Sequence, residues 1–389
     1  MPLIKKAKEM GLHTIVASYQ GNYPGLALAD EVWDVGTTEH LRLLALAKSK
    51  RISGVCTTGT DVAIYSLGYL CDHLNLCGIP ETTAKLLTNK ALMKDAFKKG
   101  GVSTPDFYAI ASAAEAYQAF KSFGTSVIVK AVDSSGSRGI TKVECEEELA
   151  PALNAANIVT KKSYVLIEEF IEGHEIGVDG FVSDGKIQFI LPHDKFIYTT
   201  NGTTIPEGHQ FPYHCSEKLM AAILHQIELV VAATGMNYCA FNADILIRGE
   251  DVYVLEVGGR AGATCIPELI SIYCGFDYYE QMIHQALGEP VSFSMKAPVP
   301  CMAKLLFSNC DGWITAINER TLERLRSPKL QISLDVPAGA PVTAVGNGTH
   351  RFGQVLMETD DVATFNSSLR YVRRAIKING ISLGQLWTE

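Results

Sequence analysis

The sequence predicts an α/β region with a parallel sheet that leads into a larger, strand-rich α+β region. Three observations predict it. Helix-type and strand-type segments alternate over the first eighty residues, and strands separated by helices imply parallel pairing. Beyond Pro80 strand-type runs dominate, and two of them are joined by a tight turn, the mark of an antiparallel pair. The chain has 389 residues. Single cores stop growing at roughly 250–300 residues, so two or three domains are expected.

The elements follow in order. Leu3 to Met10 has helical spacing, with Gly11 as its stop, and Thr14 to Ala17 is a short β-branched strand. Leu41 to Lys48 reads as a helix, Gly54 to Thr57 as a second strand and Val62 to Leu74 as another helix. Gly78-Ile79-Pro80 breaks the pattern, and one polar helix is expected from Glu81 to Gly100. Strands follow at Val127 to Val132, Tyr164 to Ile171, Ile176 to Ser183 and Ile187 to Ile190. Ser216 as N-cap and Gly235 as stop bound a long helix from Glu217 to Thr234. Phe241 to Ile247 and Val252 to Val257 form the hairpin, turning at Arg248-Gly249-Glu250-Asp251. After Gly288-Glu289-Pro290 the composition shifts to Pro, Val and Gly with short strands, closing on a helix from Val362 to Ile376.

Composition excludes several classes. Apolar residues make up 47% and charged residues 20%, the balance of a globular chain. The formal charge of −8 argues against broad nucleic-acid binding. No stretch approaches the roughly 20 apolar residues of a membrane helix, and the amino terminus has no signal-peptide core. The ten cysteines form no CxxC pair, so buried thiols in a cytoplasmic protein are expected.

Three segments carry chemistry. In Val127 to Ile140 a β-branched strand delivers Lys130, and the small-residue loop Ser134-Ser135-Gly136-Ser137-Arg138-Gly139 follows. Small residues let backbone N–H groups approach phosphate oxygens, and Lys130 and Arg138 supply positive charge. Alone, the same stretch also reads as a surface hairpin turn. In Val165 to Glu175 a buried strand ends in carboxylates, which can accept hydrogen bonds from an amino group or ribose hydroxyls, or can form a solvated charge cluster. The hairpin sets Asp244 near Glu256. Two inward carboxylates are costly without a cation between them, and hard oxygen ligands beside a nucleotide suggest Mg2+. The alternative is that one of the two is an edge charge in solvent. His193, His209 and His214 lie in a polar segment with Gly and Pro, and 209 and 214 are expected as solvated loop histidines.

Together these segments resemble the ATP-grasp superfamily, most strongly from Gly78 to Gly275. The tail, at Asn347-Gly348-Thr349-His350-Arg351-Phe352-Gly353, resembles the biotin carboxylase and carbamoyl phosphate synthetase branch, and the whole also resembles phosphoribosylglycinamide synthetase. The resemblance implies a pre-ATP-grasp parallel-sheet domain (1–79) and an ATP-grasp body (80–290) with a lid at about 108–170 and two antiparallel sheets. A small C-terminal α+β domain (291–389) would complete it. It also implies a strand and glycine-containing turn ahead of Pro2, which the chain lacks, so the expectation is a start upstream of Met1 or, as the alternative, an N-terminal sheet missing its first strand.

The resemblance assigns roles residue by residue. Lys90 and Lys130 match phosphate-binding cations, and Ser134, Ser135, Gly136, Ser137, Arg138 and Gly139 match the lid loop. Glu168 matches the adenine acceptor, Glu169, Phe170 and Ile171 the hinge, and Glu175 the ribose acid. Asp244 and Glu256 match metal ligands, and Arg260 matches the arginine near the transferred phosphoryl group. Lys195 resembles, more loosely, a lysine at the terminal phosphate. Many members carry Asn where this chain has Gly258, which leaves open one metal ion or two.

The implied function is an ADP-forming ligase that activates a carboxylate as an acyl phosphate and transfers it to an amine. The implied cofactors are ATP and Mg2+, with Mn2+ as an alternative. Small-molecule carboxylate and amine substrates are the expected partners, with no nucleic acid or membrane, and a homodimer is compatible. The rivals are a carboxyphosphate enzyme that uses bicarbonate and a nucleotide-binding regulator without catalysis.

Overall fold

The structure is a computed structural model. It describes the chain except Asn22, Ser135, Ser137, Asn201, Gly202, Thr388 and Glu389 and the side chains of Thr200 and Thr203. The opening segment runs α1 (Pro2–Glu9), β1 (Ile15–Ser18), β2 (Glu31–Asp34), α2 (His40–Lys50), α3 (Ile64–Leu74), α4 (Glu81–Leu87) and α5 (Lys90–Lys99). Next come β3 (Phe107–Ile110), α6 (Ala113–Phe123), β4 (Val127–Lys130), β5 (Ile140–Val143), α7 (Leu149–Val159) and β6 (Val165–Glu169). Strands β7 (His174–Ser183), β8 (Lys186–Thr200) and β9 (Thr203–Phe211) precede α8 (Glu217–Thr234), and the hairpin β10 (Cys239–Arg248) and β11 (Asp251–Gly258) follows it. Then come α9 (Ile266–Cys274), α10 (Tyr278–Ala286), β12 (Cys301–Leu306), β13 (Gly312–Ile317), α11 (Glu319–Leu325), β14 (Leu330–Leu334) and β15 (Pro341–Val342). The chain closes on β16 (Gly353–Glu358), α12 (Val362–Arg374), β17 (Ile376–Ile378), β18 (Ile381–Ser382) and α13 (Leu383–Leu386).

Contacts divide the chain into two compact units. The first comprises Met1–Pro192, Cys215–Ala263 and Asp277–Phe293, and the second His193–His214, Thr264–Phe276 and Ser294–Glu389. In the first unit β1 and β2 pair in parallel, as helix–strand alternation predicts. The second parallel strand is Glu31–Asp34, however, and Gly54–Thr57 is extended chain outside any sheet. Its continuation makes only a bridge, Thr58 to Ala261, because the loop that follows docks on the end of β11 rather than on β1. A small apolar core of Trp33, Val35, Leu43, Ala47 and Leu70 serves this segment.

Four strands of the first unit form an antiparallel sheet in the order β3-β6-β4-β5. Ala116, Ala119, Leu149, Ala152 and Ala156 from α6 and α7 share one buried cluster with Val127, Val129, Val165 and Ile167 of the strands. Alternate strand residues point to one face, so these four are one side of the pleat. The first unit's other sheet has β11, β10, β7 and β8 in order, with β10 antiparallel to both neighbours. In the second unit β9, β12, β16 and β14 pair antiparallel in that order over a core that includes Met302, Val355, Phe365 and Leu369.

One expected helix is two. Thr88 Oγ1 donates back to Ala84 O at 2.8 Å, and Asn89 leaves the helical region at φ −137°. Its side chain then caps α5 by accepting from Ala91 N and Leu92 N. The break puts Lys90 on the first turn of a new helix. The helix Glu217–Thr234, with Ser216 as cap and Gly235 at φ +65°, has the expected bounds. His214 is exposed, but His209 lies on β9 and is 3% exposed, because the polar segment around it forms strands instead of a loop.

Candidate nucleotide and metal site

Within the first unit a cleft of about 1150 Å³ is lined by residues from each of its parts: His40, Asp61 and Tyr65, then Lys90, then Ser134 and Arg138, then Asn242, Asp244, Glu256, Gly258 and Arg260. Of the residues singled out from sequence, Lys90, Ser134, Arg138, Asp244, Glu256 and Arg260 therefore converge. Lys130, Gly136, Gly139, Glu168, Glu169, Phe170, Ile171 and Glu175 do not line this cleft. Ser135 and Ser137 lie outside the described residues. Lys195 belongs to the second unit, on β8 opposite His209 of β9.

Asn89 sets the first cation. By starting α5 it brings Lys90 N to Val132 O at 2.9 Å, and Lys90 Nζ reaches Ser134 O at 2.7 Å and Glu256 Oε2 at 3.0 Å. Burial alone would lower the Lys90 pKa. Glu256 outweighs it, with Asp61 and Glu168 adding, and holds the ammonium above its ordinary value.

The loop between β4 and β5 is a hairpin turn, with Lys130 paired to Ile140 and Ala131 N donating to Gly139 O at 2.8 Å. Gly139 has φ +67°, and a Cβ there would stand 3.0 Å from the Ala131 Cβ, so this corner accepts no side chain easily. Ser134 Oγ donates to Arg138 O at 2.6 Å, which folds the loop back over its own base.

Lys130 points the other way. Its Nζ donates to Glu168 Oε2 at 2.6 Å, and Lys94 Nζ stands 3.4 Å from Oε1 of the same carboxylate. Lys94 also donates to Thr104 Oγ1 at 2.7 Å. Glu168 is 1% exposed and Lys94 fully buried. Burial pushes the Lys94 pKa down to about 8, with Glu168 resisting and Lys130 assisting. For Glu168 burial raises the pKa, but the two lysines prevail and hold it below the usual carboxylate value. Glu169 N donates to Asp106 O and Phe170 N to Ser126 O, while Lys142 sits 4.2 Å above the Phe170 ring. Glu175 lies on β7 opposite Leu246.

Antiparallel register sets Asp244 directly opposite Glu256, with a bulge just after Asp244. Opposed residues hold their Cβ atoms about 5 Å apart, within reach of one shared cation. Among the described residues no group of three or more His, Cys, Asp or Glu converges on a point. Two carboxylates suit Mg2+, which takes one or two of them and fills its octahedron with phosphate oxygens and water; they do not suit zinc.

Arg260 is held from two sides. Its Nη2 donates to Asp61 Oδ2 at 2.8 Å, and its Nη1 donates to Asn242 Oδ1 at 3.0 Å. Asn242 Nδ2 donates in turn to Asp179 Oδ2 at 2.8 Å, and Gly262 N to Asp179 Oδ1 at 3.0 Å. Burial opposes the Arg260 charge, and Asp61 more than offsets it.

Sequence reasoning did not single out Asp61, Lys94, Asp179 or Asn242. Asp61 alone had a usable signal: it closes the polar run Thr57-Thr58-Gly59-Thr60-Asp61 after a β-branched segment, where α/β proteins place binding loops.

Comparison with known proteins places the chain among relatives. Residues 87–264 match the ATP-grasp domain family. D-alanine–D-alanine ligase of Delftia acidovorans is 31% identical over 49% of this chain and 62% of its own length. Alanine–anticapsin ligase of Bacillus subtilis is 24% identical over 63% of this chain and 55% of its own. The chain thus spans less than two thirds of either. A crystal structure of phosphoribosylglycinamide synthetase from Anaerococcus prevotii superposes with a TM-score of 0.80 at 28% identity, covering 97% of this chain and 95% of that one.

Proposed function

The chain carries an ATP-grasp domain at residues 87–264, and from that premise we propose that it is an ATP-dependent, ADP-forming ligase. It activates a carboxylate as an acyl phosphate and joins it to an amine. The observation that carries this is the convergence of Lys90, Arg138 and Arg260 with Asp244 and Glu256 in one cleft. The named relatives, ligases of amino acids, support the same bond type. The three-domain division at Ile79 and Pro290 belongs to this proposal.

Forming an acyl phosphate brings two anions together, so catalysis is positioning and charge neutralisation. Lys90 and Arg138, with the loop of residues 134–139, hold the phosphates. Asp244 and Glu256 would hold Mg2+, which would supply charge neutralisation for the phosphates. Arg260 faces the phosphoryl group in transfer. Glu168, the 169–171 hinge and Glu175 are assigned to the nucleoside and Lys130, ion-paired with Glu168, to the phosphates, although none of them lines the cleft itself. The lid excludes water from an intermediate that hydrolyses easily.

The test is ADP release with ATP and Mg2+ over pools of amino acids and small carboxylates. Release that requires both an acid and an amine, with a new C–N bond detected by mass spectrometry, is expected. ATP binding with no stimulated ADP release over a broad panel would replace the ligase with a nucleotide-binding regulator.

A further inference from the structure

Arg260 and Asp61 form an ion pair that is not closed. Asp61 Oδ1 and Arg260 Nε are both buried, and neither has a hydrogen-bond partner among the described residues. The guanidinium is nevertheless fixed. Asp61 takes Nη2 and Asn242 takes Nη1, and Asn242 is anchored by Asp179, which is fully buried.

The backbone holds Asp61 there independently of its side chain. Thr58 bridges Ala261 in parallel, Gly59 N donates to Ala261 O at 3.1 Å, and Ile64 N donates to Asp61 O at 3.1 Å as α3 begins. The loop from the N-terminal segment is thereby registered against the residue after Arg260.

Gly258 completes the arrangement. A Cβ at this position would lie 2.6 Å from Asp61 Oδ1 and 3.3 Å from Arg260 Cζ. A Cβ at 258 would therefore push Asp61 Oδ1 aside and disturb its pairing with Arg260. The carboxylate of Asp61 fills the space that a side chain at 258 would occupy.

We propose that Asp61 is the positioning residue for Arg260, reaching in from the N-terminal segment to aim the guanidinium at the transferred phosphoryl group, and that Gly258 is side-chain-free to admit it. This rests on the ligase reading of the same cleft. Asp61 fixes where the positive charge stands.

The experiment compares affinity for Mg·AMPPNP and Mg·ADP by calorimetry, so that only the terminal phosphoryl group differs. Asp61→Ala should weaken AMPPNP about tenfold and leave ADP within about twofold. Asp61→Asn keeps an acceptor of the same shape and should fall between, and it serves if the alanine variant fails to fold. Gly258→Ala should reproduce the Asp61→Ala loss, and the double variant should be no worse than either single one. Equal effects on both nucleotides, no effect on either, or additive losses in the double variant would overturn the proposal. Wild-type protein that binds ADP but not AMPPNP would overturn the phosphoryl-directed role of Arg260, whereas binding neither nucleotide would remove the ligase reading itself.

Discussion

Glu168 and Glu256 each have a lysine ammonium close by, Lys130 at 2.6 Å and Lys90 at 3.0 Å, yet they sit in different surroundings. The Glu168 side chain is 2% exposed and sits between two lysines, whereas that of Glu256 is 38% exposed and looks into the cleft. Asp61 and Arg260 stand with Glu256 and line the same cleft. The difference teaches which charges hold the fold and which are kept for a ligand. A fully buried charge set must be neutralised from within, because desolvation costs several kcal/mol per ion. A set at a cleft can leave its last partner to be supplied on binding.

That contrast breaks first at Glu168. Glu168→Ala leaves two buried ammonium groups without a counter-ion, and stability should fall by about 3–5 kcal/mol, measured as the urea midpoint. A loss below about 1 kcal/mol would show that water reaches the cluster and that it belongs with the open set. Lys130→Ala should share part of this penalty as well as stopping ADP formation, so its kinetics need a stability control.

Glu256→Gln should do the reverse. ADP formation should drop at least about 100-fold, the scale of losing one preorganised charge in a phosphoryl-transfer site. Stability should stay within about 1 kcal/mol, as for other partly exposed ion pairs. Retained activity would remove Glu256 from the metal set.

Lys94 sharpens the comparison through pH. Its folded pKa is lowered to about 8 from 10.5. Between those values the unfolded chain binds more protons at this residue, so its contribution to stability rises as pH increases. Lys94→Met should therefore gain on the wild type at pH 7, and the difference should shrink as pH passes 8 toward 10. A pH-independent difference would place the Lys94 pKa outside this window.

The smallest effect concerns His209 in the second unit, buried with Nδ1 unmatched and its pKa held well below 6.5, chiefly by burial. The unfolded state takes up the proton first as pH falls below 6.5, so the wild type loses stability there. His209→Phe should remove that part of the slope in acid titrations of stability.

Much of this was legible beforehand because it depends on local pattern. Period-2 alternation placed β10 and β11, and antiparallel pairing then put Asp244 opposite Glu256. Ser216 and Gly235 bounded α8 through capping, which acts within one turn. Ser134 and Arg138 were identifiable from charge and small-residue context, Lys90 and Arg260 from the family resemblance alone, and all four line the cleft. Local pattern failed where neighbours distant in sequence decide. Gly54–Thr57 had strand composition, but its continuation docks on Ala261, some two hundred residues away. Polar residues around His209 suggested a loop, and pairing with β8 and β12 buried it.

The sequence by itself determined the alternation of elements and the opposed carboxylates, since these follow from spacing along the chain, while most of the cations were indicated by the family resemblance. Only the tertiary structure decided which charges are spent inside the protein and which face the cleft. Lys94, Lys130 and Lys90 look alike as residue types within some forty positions, and packing sends the first two into Glu168 and the third to Glu256. The same holds for Gly258. In sequence it is an absent side chain, and in the structure it is the space that Asp61 fills beside Arg260. Through-space exclusion, which no spacing along the chain encodes, decided that.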